Sequence, residues 1–125
     1  YGDQVALVYV DVDGLKTIND RFGHAAGDFV LIEIAHRLQS AMREQDVLAR
    51  IGGDEFGILL ENTGLTQARA TMRRLSQLIA SPPCLYDGHS ITLSAAFGLT
   101  PITPGQSAEE LMGRADSEMY RAKRA

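Results

Sequence analysis

Two strand-like runs, 47–51 and 56–60, are separated only by Gly52, Gly53, Asp54 and Glu55. So short a joint predicts that the runs fold back on each other as an antiparallel β-hairpin, with the glycines relieving the bend. A third run, QVALVYVDV over 4–12, is almost continuously apolar and predicts a central strand buried on both faces. The sheet must hold both.

The rest of the chain supplies helices. Residues 15–22 predict a short helix stopped by Gly23, and from Asp28 onward Leu31, Ala35, Leu38 and Met42 recur at helical spacing. Asp28 then falls near a helix start, where exposed N–H groups favour an acid. Ala68, Met72, Leu75 and Ile79 mark a second amphipathic helix ended by Pro82 and Pro83. Residues 90–99 predict one further strand, and a last helix from Ser107 places Leu111, Ala115 and Met119 on one face.

The order strand, helix, hairpin, helix, strand, helix predicts an α/β (α+β) sandwich with an antiparallel pair in its sheet. The 125 residues, 45% apolar, suffice for one core and one domain over 1–125. The chain opens on Tyr1 rather than Met and reads as a fragment of a longer multidomain protein.

A net charge of -4 supplies no basic surface for a nucleic-acid backbone. The single Cys84 cannot form an internal disulfide and reads as a passive core or loop residue, and the reducing cytoplasm is the simpler setting. No GxxxxGK[ST] stretch or zinc-ligand spacing occurs.

Carboxylates carry the chemistry. Asp11 and Asp13 arrive where the first strand should surface, and Asp54 and Glu55 occupy the hairpin bend. If the two strands lie side by side, these ends meet. A magnesium ion explains such a meeting, because it takes hard oxygen ligands while keeping waters and substrate phosphates. The expected ligands are Asp11, the Val12 carbonyl and Asp54, with Glu55 left between a second ion and assistance in proton removal. The competing reading makes Asp54 and Glu55 ordinary solvated turn residues.

RIGGDEF, 50–56, resembles the signature of the GGDEF, or diguanylate cyclase, family. DVDGLKTINDRFGHAAGD, 11–28, resembles the family's first block, and RADSEMYRAK, 114–123, its terminal one. The resemblance implies a palm-like, ferredoxin-like fold similar to nucleotide cyclase catalytic domains. It also implies condensation of two GTP into cyclic di-GMP, with release of two pyrophosphates, across a homodimer.

By the same resemblance, Mg2+, with Mn2+ as a substitute, sits on Asp11, Val12 and Asp54, and Asp11, Asp54 and Glu55 are catalytic. Asn19 and Asp28 contact guanine, while Lys16 and Lys123 contact phosphate. REQD, 43–46, resembles an RxxD site for inhibitory product, built from Arg43 and Asp46 with Arg74 as a secondary contact. From residues alone, Asn19 and Asp28 read equally as helix caps, the lysines as solvated, and Arg43 with Asp46 as a surface ion pair. Gly27 resembles a close-approach glycine, or else relieves a helix-start bend.

Gly14 and Leu15 stand where many relatives carry two phenylalanines, and Arg124 does not inherit the role of the arginine found further on in relatives. The alternative function is a catalytically inactive GGDEF-like domain binding GTP or cyclic di-GMP. The expected setting is a cytoplasmic domain, with sensory or phosphodiesterase domains and a membrane anchor left open for the parent.

Overall fold

The computed structural model describes residues 4–102. Its elements are β1 (Val5–Val12), α1 (Leu15–Phe22), α2 (His24–Ser40), β2 (Val47–Arg50), β3 (Glu55–Glu61), α3 (Leu65–Ala80), β4 (Cys84–Tyr86), β5 (His89–Ile91) and β6 (Ala95–Ile102). The expected last helix, with Lys123 and Arg124, lies outside the described residues.

Among the described residues, β2, β3, β1 and β6 form one sheet in that order, every pair antiparallel. This is the ferredoxin-like arrangement, with β4 and β5 inserted as a separate hairpin. β1 is central, as its apolar run predicts. Ala6, Val8, Val10 and Val12 alternate into the main core with Ile34, Leu38, Leu75 and Ile79 of the helices. Its other face is less closed: Tyr9 is buried but Leu7 and Asp11 are only half-buried.

Two helical expectations need correction. α2 begins at His24, four residues before Asp28, because Gly23 at φ 96° ends α1 and turns the chain directly into the next helix. Asp28 therefore lies in the second turn and Asn19 inside α1, so neither side chain caps a helix. α3 ends at Ala80, before Pro82 and Pro83, as expected. Arg37 of α2 closes that end by donating to the Ile79 carbonyl at 2.8 Å and pairing with Glu33 at 3.2 Å.

The strand expected over 90–99 is divided. Asp87 at φ 49° and Gly88 at φ 79° turn β4 into β5, and a break at residues 92–94 separates β5 from β6. Asp-Gly with both residues at positive φ is the favoured two-residue hairpin turn. Pro101 fits inside β6 because that strand lies at the sheet edge among the described residues.

Candidate active site

The end of β1 and the tip of the hairpin do meet. Asp11 stands directly opposite Glu55 of β3 and Ala96 of β6. One residue further on, the Val12 N–H donates to the Asp54 carbonyl at 2.9 Å. The Asp13 N–H donates to the Ser94 carbonyl at 2.9 Å, and the Ser94 hydroxyl to Asp13 Oδ2 at 3.1 Å. The chain leaving the sheet is thus held on both sides before Gly14, at φ 70°, turns it into α1.

The bend itself is braced. The Ile51 N–H donates to the Glu55 carbonyl at 2.9 Å. Arg50 folds over the turn, its Nε donating to the Gly52 carbonyl at 3.1 Å and its Nη2 to that of Gly53 at 2.7 Å. The Tyr9 hydroxyl donates to Glu55 Oε2. Neither Arg50 nor Tyr9 was expected at the site; register is the signal that finds Tyr9, since it lies two residues before Asp11 on the same face.

The donor set suits magnesium. Among the described residues, no group of three or more His, Cys, Asp or Glu side chains is gathered into a metal cage. Asp11 and Asp54 with the Val12 carbonyl offer hard oxygens from two joined strand ends. That number fits an ion which retains waters and arrives with phosphate ligands.

α1 and α2 form a tight crossing. An added Cβ on Gly27 would lie 1.8 Å from Asn19 Oδ1 and 2.8 Å from Asn19 Cγ, so any larger residue must displace the Asn19 side chain. Asn19 Oδ1 is buried with no hydrogen-bond partner among the described residues. An orphaned acceptor of this kind costs about 1–3 kcal/mol and calls for a donor from elsewhere. Asp28, next to Gly27, and Lys16, on α1, are both exposed.

Arg43 and Asp46 are brought together, but by each other. Their closest approach is 2.8 Å, and Arg43 also donates to the Glu61 carbonyl at 2.8 Å and Thr63 Oγ1 at 2.9 Å. Burial disfavours ionisation of Asp46, whose side chain is 3% exposed, yet hydrogen bonds from Arg43 and the charges of Arg43 and Arg74 overcome it. The carboxyl stays below its ordinary value. Arg74 of α3 thus acts electrostatically on the same carboxylate. Cys84 is buried, in agreement with a passive role.

A four-stranded antiparallel sheet with this strand order and its helices packed on one face is a palm-like α+β domain of the kind nucleotide cyclases use. Residues 1–125 match the family described as diguanylate cyclase, GGDEF domain, and the chain belongs to that family. It is 40% identical over 124 residues, 99% of its length, to diguanylate cyclase DgcP of Pseudomonas aeruginosa, and spans 18% of that relative.

Its fold matches diguanylate cyclase SiaD of Pseudomonas aeruginosa, solved with its activator SiaC. The TM-score is 0.93 at 34% identity, over 98% of this chain and 47% of that one. The GGDEF domain of DgcB from Caulobacter crescentus, in complex with c-di-GMP, matches with a TM-score of 0.90 at 25% identity, over 98% and 74% of the two chains. Among the described residues, no helix is long and apolar enough to cross a membrane.

Proposed function

We propose that this chain is the catalytic domain of a diguanylate cyclase and supplies one half of a two-GTP active site in a homodimer. The observation that carries the reading is the junction of β1 and β3, where Asp11 faces Glu55 and Val12 is bonded to Asp54. Acids converging at a backbone-fixed point favour a cation in the space beside them.

In this reading Asn19 Oδ1 accepts from a guanine N–H, which removes the cost of its orphaned state, and Asp28 accepts from the ring and exocyclic N–H groups. Lys16 holds phosphate as a point charge, joined by Lys123. Asp11, the Val12 carbonyl and Asp54 would hold magnesium, which when bound lowers the pKa of the attacking hydroxyl and offsets charge on the phosphate. Glu55 orients the 3′-hydroxyl and takes its proton.

The 3′-oxygen of one GTP forms a bond to the α-phosphorus of the other as the bond to pyrophosphate breaks. The reciprocal attack closes the ring and releases the second pyrophosphate. The Arg43, Asp46 and Arg74 cluster is the feedback site for cyclic di-GMP, with Arg43 exchanging its internal partner for the ligand. The domain works on the cytoplasmic side, where GTP is available, within a longer parent protein.

The test is incubation with GTP and magnesium over a range of protein concentrations, with chromatographic separation of products. Cyclic di-GMP should form with a steep dependence on protein concentration and disappear in Asp54→Ala. Absence of product both from this chain and from the full-length parent refutes turnover.

A further inference from the structure

Tyr9 sits in the interior of β1 and is only 5% exposed. A buried phenol needs a hydrogen-bond partner, and this one reaches Glu55 Oε2. The reach is built into the sheet. Directly across from Tyr9 stand Gly57 in β3 and Gly98 in β6, so neither directly opposed residue brings a side chain to the ring. Glu55 is the diagonal neighbour two residues from Gly57, a separation of roughly 7–8 Å that a tyrosine spans.

The remaining space is closed on the hairpin side. A Cβ on Gly57 would lie 2.7 Å from Ile51 Cδ1, and one on Gly52 would lie 3.6 Å from Glu55 Oε1. The Glu55 carboxylate is therefore bracketed, with one oxygen on the phenol and the other beside the bend. The bond also addresses a conflict: Asp11 and Glu55 are directly opposed like charges, an arrangement that destabilises a strand pair. Donation from Tyr9 draws Glu55 along the sheet and gives part of its charge a partner.

We propose that Tyr9 is a positioning residue that fixes the carboxylate of Glu55 for the cyclase reaction; this rests on the reading of Glu55 given above. Tyr9 acts through Glu55 and needs no contact with nucleotide. A proton-accepting carboxylate works only when held in its productive geometry, and misplacement by about 1 Å can cost a hundredfold in rate.

The test is Tyr9→Phe, which keeps the ring and its packing while removing the hydroxyl. The expected result is an unchanged KM for GTP, a kcat reduced about tenfold, and a melting temperature close to that of wild type. A second measurement is independent of turnover and of that variant. In the unliganded wild-type chain, the tyrosine Raman doublet should report a strong phenol donor that is lost in Glu55→Ala. Wild-type kcat in Tyr9→Phe, or a doublet unaffected by Glu55→Ala, overturns the positioning role alone. A wild-type protein that turns over no GTP defeats the cyclase reading, and this inference falls with it.

Discussion

Gly27→Ala tests the crossing of α1 and α2 in both its structural and its functional aspects. The new methyl would sit 1.8 Å from Asn19 Oδ1, about 1.5 Å inside ordinary contact, and 3.2 Å from Asn19 Nδ2. Alanine in place of glycine within a helix stabilises by about 1 kcal/mol, whereas an overpacked contact costs about 1–3 kcal/mol. The net loss in the unliganded protein is then about 0–2 kcal/mol.

Asn19 must rotate to make room, and the proposed guanine contact leaves with it. Affinity for a non-hydrolysable GTP analogue should fall about tenfold by titration calorimetry, the equivalent of one neutral hydrogen bond near 1.4 kcal/mol. The decisive comparison is with Asn19→Ala, which removes the obstructing amide. Gly27→Ala in that background should stabilise by about 1 kcal/mol in urea denaturation, reversing the sign seen in wild type. An equal effect of Gly27→Ala in both backgrounds, or undiminished nucleotide affinity, refutes the reasoning.

The Arg43–Asp46 pair predicts a pH dependence. A carboxyl with a depressed folded-state value adds stability fully present above its unfolded pKa, near 3.9, and lost as pH falls through the lower folded value. Asp46→Asn should flatten this part of an acid-denaturation series, and a slope identical to wild type contradicts the assignment. The Cys84 thiol is pushed up by burial and by the charge of Glu33, against an opposing effect of Arg37. Thiol titration with a disulfide reagent at pH 8 should be slow in the folded protein and fast after denaturation; equal rates would refute its protection.

The sheet was legible wherever burial imposes a simple pattern. The apolar run of β1, the glycine bend between β2 and β3, and the apolar stripe of α3 each follow from one rule. α2 was misplaced at its start because His24, Ala25 and Ala26 carry no amphipathic signal, and a positive-φ glycine rather than a side-chain cap begins the helix. β4 was not read as a strand and β5 was merged into the strand expected over 90–99, because each is only three residues long.

At the site, the meeting of Asp11 with the hairpin acids was legible once the strands were taken as neighbours. Tyr9 was hidden because it resembles apolar filler until the register sets Gly57 and Gly98 beside it. The family resemblance named Asn19 and Asp28, whereas the physical case for Asn19 required the close approach of Gly27, which local spacing does not encode.

β1 is paired with β3 from Val5 to Asp11 and with β6 along its full length, Val5 to Val12. Asp11 consequently rides on the stiffest member of the fold, and distorting its position means breaking ladders on two sides at once. Such a domain is a poor candidate for control by internal deformation. In the proposed homodimer a signal acts more economically by deciding when two intact copies face each other, which makes regulation a matter of rigid-body encounter and leaves the scaffold of each copy unchanged.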